Sequence, residues 1–195
     1  MIAVIDYGAG NLASAVKAIR HLGPECVVAA SPAEVLRADK LIIPGVGNFN
    51  ATLALANSPL GAAVRRAVES KPLLGICLGL QWMFAGSTEA PGQPGLGAFE
   101  GICTRFSERV KSPHVGWNMI EIASHSRLLE GIGSGAYVYF THSYRPPLCA
   151  DTAATCTYGE PFTAAAERGH LFGLQFHPEK SGDIGLHMLE NFCEF

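Results

Sequence analysis

Apolar residues in the first half of the chain come in short, unbroken runs: Ile2-Ala3-Val4-Ile5, Cys26 to Ala30, Leu41-Ile42-Ile43 and Leu73-Leu74-Gly75-Ile76. Runs of this length with no polar alternation predict strands buried on both faces. Between them the spacing is helical. Leu12, Val16, Ile19 and Leu22 fall on one face of a segment that stops at Gly23-Pro24, a normal helix exit. Ser31-Pro32 reads as N-cap and first helical residue of a short helix through Leu36, further helical stretches run to about Ser70, and Leu80 to Phe84 starts another. Strands alternating with helices predict a doubly wound α/β fold with a mostly parallel, flavodoxin-like sheet flanked by helices.

After Gly86 the texture changes. Residues 87–97 carry Gly, Pro, Ser and Thr and read as loop. Short strand-like pieces follow at Ile102 to Phe106, Asn118 to Ile122, Tyr137 to Phe140, Ala153 to Tyr158, Phe162 to Glu167 and Leu171 to Phe176. Ile184, Met188, Leu189 and Phe192 give the closing segment helical spacing. The second half is expected to be an antiparallel β extension of the same domain, so that residues 1–195 form one domain with one sizeable core.

Composition narrows the partners. Hydrophobic residues make up 48% and charged residues 16%, the balance of a globular protein. The net charge is −3 with Lys and Arg scattered, which argues against nucleic acid and anionic membrane as partners. No apolar run reaches the roughly 18 residues of a membrane span, and the start Met1-Ile2-Ala3-Val4-Ile5-Asp6 lacks the basic region of a signal peptide. A cytoplasmic setting is therefore expected. The six cysteines, Cys26, Cys77, Cys103, Cys149, Cys156 and Cys193, form no Cys-x-x-Cys pair and do not group with histidines at zinc spacing. Free thiols are expected, and neither a metal nor a cofactor.

One of these cysteines stands apart. Gly75-Ile76-Cys77-Leu78-Gly79 lies where the fourth apolar run meets the next helix. A reactive residue on such a tight strand-to-helix turn needs small neighbours two positions away on each side. A thiol there sits at a helix N-terminus, where the dipole favours the thiolate, and the next backbone N–H, that of Leu78, can donate to an oxyanion. The third run leads into Pro44-Gly45-Val46-Gly47, also at a strand's carboxyl end, where parallel sheets place their chemistry. The earlier turn Gly8-Ala9-Gly10 lacks the further glycine of a dinucleotide fingerprint, and no Walker Lys-Ser/Thr follows, so it reads as structural.

A nucleophilic cysteine needs a base, and the base an orienting group. Gln175-Phe176-His177-Pro178-Glu179 supplies both. Pro178 keeps His177 out of the helical region, and residues two apart in extended chain point the same way, so Glu179 can hold the His177 imidazole. His21, His125, His170 and His187 have no comparable setting.

Gly-Ile-Cys-Leu-Gly-Leu-Gln followed by Phe-His-Pro-Glu resembles the class I (triad) glutamine amidotransferase family. Asp6-Tyr7-Gly8-Ala9-Gly10-Asn11, Pro44-Gly45-Val46-Gly47-Asn48-Phe49, His114-Val115-Gly116-Trp117-Asn118, His142-Ser143-Tyr144 and His177-Pro178-Glu179-Lys180-Ser181 narrow the resemblance to the glutaminase subunits of imidazole glycerol phosphate synthase, and the matches run in order along nearly the whole chain. Leu80 departs from the family pattern, where methionine is usual, as do Asn48 and Asn50.

The resemblance implies an enzyme that hydrolyses the side-chain amide of glutamine through Cys77, His177 and Glu179. It implies a γ-glutamyl thioester, with the oxyanion held by Leu78 and the Gly45-Val46-Gly47 strand. It implies that Gly45, Val46, Gly47, Leu78, Gln81, His142, Ser143 and Tyr144 surround the substrate, and that Asn11, Trp117 and Lys180 face a (β/α)8-barrel cyclase subunit. That subunit uses the ammonia to make imidazole glycerol phosphate in histidine biosynthesis. It further implies that, without the cyclase, the Gly45-Val46-Gly47 peptide turns a carbonyl toward the site. On the residues alone three alternatives stay open: the ammonia-donating subunit of another synthase, a cysteine hydrolase or peptidase of the same doubly wound type, and a non-catalytic binding subunit.

Overall fold

The apolar runs become the centre of a nine-stranded mixed sheet. The computed structural model describes residues 1–195. The first half comprises β1 (Ile2–Ile5), α1 (Leu12–His21), β2 (Cys26–Ala29), α2 (Pro32–Arg37), β3 (Lys40–Ile43), α3 (Leu53–Ala56), α4 (Pro59–Ala67), β4 (Leu73–Ile76) and α5 (Leu78–Met83). The second half adds β5 (Gly86–Ser87), β6 (Ile102–Arg105), β7 (His114–Ile122), β8 (Ala136–His142), β9 (Tyr144–Arg145), β10 (Thr152–Tyr158), β11 (Glu160–Arg168), β12 (Leu171–Leu174) and α6 (Gly182–Glu194).

The large sheet runs β2-β1-β3-β4-β12-β11-β10-β7-β8. Its first five strands are parallel, and from β12 onward each neighbour is antiparallel. The doubly wound core and its antiparallel extension are thus one sheet. Strands β5, β6 and β9 make a small separate sheet.

Alternation within each strand feeds two cores. Ile2, Val4, Ile42, Leu74 and Ile76 pack on one face with Ala15 and Ile19 of α1 and Met188, Leu189 and Phe192 of α6. Ala3, Ile5, Leu41, Ile43 and Leu73 pack on the other with Val35 of α2, Leu60 and Val64 of α4 and Leu80, Trp82 and Met83 of α5. Each fully buried side chain of this kind contributes about 1.5–3 kcal/mol, so the central strands are held from both sides. Local signals agree with the packing. Asn11 caps α1 by accepting from Ser14 N–H, and Ser31 with Glu34 forms a capping box at α2.

Two expectations need correction. Residues 87–97 are not all loop, because Ser87 pairs with Cys103 in the small sheet. Strand β7 begins at His114, four residues earlier than expected, and pairs with β8 from His114↔His142 to Ile120↔Ala136. Gly116 weakens the strand pattern there, but the partner strand overrides the local preference. Only Glu121 and Ile122 of β7 are in ladder register with β10, and farther along the contact passes through side chains: Asn118 Nδ2 donates to the Thr157 carbonyl and His114 stacks on Tyr158. No helix is long and apolar enough to cross a membrane.

Candidate active site

In the sheet, β4 lies between β3 and β12. The carboxyl ends of these three neighbours deliver the Pro44–Gly47 segment, Cys77 and His177 to one place. Cys77 is the only non-glycine residue with positive φ, at 53°. The elbow expected from the glycine spacing is therefore a strained one, and α5 starts immediately after it, at Leu78 rather than Leu80. The flanking glycines answer to contact. A Cβ on Gly79 would lie 1.9 Å from the Ile43 carbonyl oxygen, and one on Gly75 would lie 2.7 Å from Gly79 backbone atoms. Any side chain at either position would push the elbow off the sheet.

His177 is extended, with φ −101° and ψ 98°. Glu179 is not in extended chain as expected but in a single 3₁₀ turn, Pro178–Lys180. The turn serves the same end: His177 Nδ1 and Glu179 Oε1 are 2.8 Å apart, and both side chains are buried. Ser181 pins the turn to β8 by accepting from Tyr139 N–H at 2.9 Å and donating to the His177 carbonyl at 2.6 Å. His177 N–H donates to the Tyr139 carbonyl at 2.9 Å. Burial by itself would lower the His177 pKa, but the neighbouring Cys77 sulfur and the Glu179 carboxylate outweigh it and raise it to about 10. His177 Nε2 is buried without a hydrogen-bond partner beside the thiol. A nitrogen so placed can take and return a proton.

Cys77 opens onto a cavity of about 160 Å³ lined by Gly47, Leu78, Gln81, Glu89, Pro113, Thr141, His142, Ser143 and Tyr144. Gln81 Nε2 donates to the Tyr144 carbonyl at 2.9 Å and to Gln175 Oε1 at 3.1 Å. The same carbonyl lies 2.9 Å from His142 Nδ1, and His142 Nε2 lies 3.2 Å from His114 Nδ1. Burial lowers His142 to about 3, with His114 and His177 adding to the effect and the Tyr144 bond opposing it, and burial lowers His114 to about 4. Both imidazoles are neutral near neutral pH and act here as oriented dipoles.

The oxyanion side is closed. Leu78 N–H donates to the Gly45 carbonyl at 3.4 Å, so the donor suited to an oxyanion is already occupied. The orientation is the one implied for a chain without its partner. Pro44 is tethered by Tyr7, whose buried hydroxyl donates to its carbonyl at 2.8 Å. Val46 is half-exposed, and Gly47 holds φ +116°, a conformation that favours glycine. Asn48 accepts from Asn50 N–H at 2.8 Å and caps the turn that follows, while Leu80 is buried against Gly173 rather than facing the cavity.

Trp117 and Lys180 come together around Tyr139 on the outer face of β7 and β8: Trp117 meets its ring edge-on, and Lys180 Nζ is 5.8 Å from its centroid. Trp117 is 55% exposed and continues a row with Val115, Met119 and Tyr137, also open to solvent. Asn11 lies apart from them, beside Gly45, Val46, His177 and Glu179 at a narrow gap. The sequence reading missed Glu89, the one carboxylate on the cavity wall; its loop position carried no signal. It also assigned no part to Gln175, although a polar residue inside the apolar run Leu174 to Phe176 is such a signal.

The glutamine amidotransferase class-I family matches residues 3–194. The imidazole glycerol phosphate synthase subunit HisH of Thermococcus kodakarensis is 44% identical over 198 residues, with 98% of each chain covered. The chloroplastic imidazole glycerol phosphate synthase hisHF of Arabidopsis thaliana is 40% identical over 200 residues, which span 98% of this chain and 34% of that longer protein. A solved glutamine amidotransferase shares the fold with a TM-score of 0.77 at 22% identity, covering 99% of this chain and all of the other. With its strained cysteine elbow and its His-Glu pair at the ends of adjacent parallel strands, the chain belongs to the class I glutamine amidotransferase family.

Proposed function

We propose that residues 1–195 form one catalytic domain that hydrolyses glutamine to glutamate and ammonia and passes the ammonia to a cyclase subunit making imidazole glycerol phosphate. The observation that carries this reading is Cys77 on its strained elbow beside the buried His177–Glu179 pair, 2.8 Å apart. Identity of 44% to the HisH subunit over nearly all of both chains supports the choice of pathway. The reaction takes place in a reducing, cytoplasmic setting, where the Cys77 thiol stays free to attack.

The Cys77 thiolate attacks the carboxamide carbon, and the carbonyl electrons move onto oxygen. When the tetrahedral species collapses, His177 gives its proton to the leaving nitrogen, ammonia departs and a γ-glutamyl thioester remains. His177, oriented by Glu179, then takes a proton from water, which attacks the thioester and releases glutamate and the thiol. Glutamine lies in the cavity between Gln81, His142, Ser143 and Tyr144, with its ammonium group toward the Glu89 carboxylate. The oxyanion needs Leu78 N–H and a donor from Gly45-Val46-Gly47. Turning over the Gly45–Val46 peptide frees the first and presents Val46 N–H as the second. One such donor is worth about 10²–10³ in rate.

The partner is a (β/α)8-barrel cyclase that covers the exposed row Val115, Trp117, Met119 and Tyr137 together with Lys180 and reaches toward Asn11. An apolar row of this kind with a flanking cation suits a protein partner. Glutamate release from glutamine, measured for the chain alone, with a purified cyclase subunit, and with Cys77→Ala, tests the proposal. Release that rises steeply with the cyclase and falls at least about 10⁴-fold in the variant is expected. Glutamine untouched in every mixture would overturn it.

A further inference from the structure

Gln175 follows β12 and is completely buried, between the apolar residues Leu174 and Phe176. Its side-chain nitrogen is 3.5 Å from the Cys77 sulfur. Its side-chain oxygen accepts from Gln81 Nε2 at 3.1 Å. An apolar side chain would fill such a place with no polar group to satisfy, whereas a buried amide must find partners for its oxygen and both its N–H groups.

We infer that Gln175 is a catalytic residue: its Nε2–H donates to the Cys77 sulfur and holds the negative charge there during attack on the substrate. The inference deepens the proposed amide hydrolysis, and its kinetic arm rests on that reading.

Which end of each amide faces the sulfur follows from a single fixed point. The Tyr144 carbonyl can only accept, so Gln81 must turn its NH₂ group toward it. The second N–H of Gln81 then falls on Gln175 Oε1, and the Gln175 NH₂ group is left facing Cys77. The other side of the carbonyl obeys the same rule. His142 donates to it from Nδ1, so His142 Nε2 accepts from His114 Nδ1, and His114 Nε2 faces the Asn118 amide at 3.3 Å. A reversed amide at either glutamine would set two acceptors or two donors against each other.

The thiol's own contact agrees. Cys77 Sγ points its weak donor at the Thr141 carbonyl, 3.8 Å away. Once the proton leaves, that carbonyl becomes a repulsive neighbour, and Gln175 and His177 are the donors that remain. A hydrogen bond made to the charged form favours that form. Gln175 further ties the sulfur to Gln81, which lines the substrate cavity, so nucleophile and cavity wall move as one hydrogen-bonded unit. The other ionisable groups around the sulfur are His177 with Glu179, Tyr7, His142 and Glu89. They are common to every variant below, so differences between variants report on Gln175.

Alkylation of Cys77 by iodoacetamide tests the inference without glutamine or partner. Modification of the Cys77 peptide is followed by mass spectrometry between about pH 5 and 9. Gln175→Glu keeps an oxygen for Gln81 but replaces the N–H donor with a carboxylate. Gln175→Met removes both functions. In both, the midpoint of the profile is expected to rise by about one pH unit or more, and alkylation at neutral pH to fall about tenfold. With glutamine and the cyclase, Gln175→Glu is expected to lower kcat and leave KM nearly unchanged. In the unmodified protein, which needs no core substitution, the Gln175 side-chain N–H resonances are expected to shift across the alkylation midpoint and to lose that shift in Cys77→Ala.

Folded variants whose alkylation profiles superimpose on the unmodified protein would overturn the inference. So would Gln175 resonances that ignore the titration. A chain that releases no glutamate but shows the expected alkylation shift retains Gln175 as a donor to sulfur and loses only the proposed substrate.

Discussion

The strand that ends at Cys77, β4, has two neighbours, and they leave the sheet in different ways. β12 runs into His177, whose N–H is bonded to Tyr139, whose carbonyl is bonded to Ser181 and whose ring is bonded to Glu179. β3 runs into Pro44–Gly47, where Val46 is 38% exposed and the Gly45 carbonyl occupies Leu78 N–H. The proton-transfer side of Cys77 is built and pinned, and the oxyanion side is shut by one peptide. Gly45 gives the Gly45–Val46 peptide a glycine hinge on one side, which lowers the steric cost of turning it over. A buried imidazole with both backbone groups and Nδ1 bonded cannot be re-aimed so readily. In the proposed reaction the two sides therefore divide the work: β12 supplies a standing acid–base pair, and β3 decides when the intermediate is stabilised.

Three substitutions probe that division. Glu179→Gln attacks the pinned side and carries the largest expected effect, a fall of about 10³–10⁴-fold in partner-stimulated glutamate release, because the imidazole loses its charge partner and its tautomer. The variant also moves a pH boundary. The His177 pKa is raised to about 10 in the folded chain, so its contribution to stability is fully present below the ordinary histidine value near about 6.5 and is lost as pH rises through the folded value. In Glu179→Gln the alkaline loss should begin at lower pH, as read by urea unfolding across the pH range. An unchanged alkaline limb would show that Glu179 does not hold the proton.

Val46→Pro probes the free side by deleting the N–H that the turned peptide would present. A loss of about 10²–10³ in partner-stimulated turnover is expected, with alkylation of Cys77 in the isolated chain unchanged. A parallel loss of alkylation would mean that the two sides are not separable.

Ser181→Ala carries the smallest effect. It leaves Tyr139 N–H and the His177 carbonyl without their hydroxyl partner, and a destabilisation of about 1–3 kcal/mol is expected in urea unfolding. A neutral result would place the rigidity of the His177 turn in Pro178 and the β8 backbone instead.

Much of this arrangement was legible in the residues. Apolar runs too short for helices and too continuous for half-exposed strands predict β1, β3 and β4. Gly75, Cys77 and Gly79 predict an elbow, and the positive φ of Cys77 is its physical mark. His177-Pro178-Glu179 predicts a pair, and the pair forms, although through a 3₁₀ turn and not an extended chain. Less legible was β7. Gly116 breaks the strand pattern ahead of Asn118 until β8 lies alongside and pairs with it.

Local sequence thus determined which residue could be a strained nucleophile and which histidine could carry a proton, because steric freedom and charge pairing act over two or three positions. Tertiary structure decided the rest, because it depends on atoms far apart in the chain. Gln175 is 98 residues from the sulfur it faces, Gln81 is 63 from the carbonyl that orients it, and the Tyr7 hydroxyl is 37 from the carbonyl it tethers. A hydrogen bond has a direction, and only the folded sheet settles which way each of these groups must point.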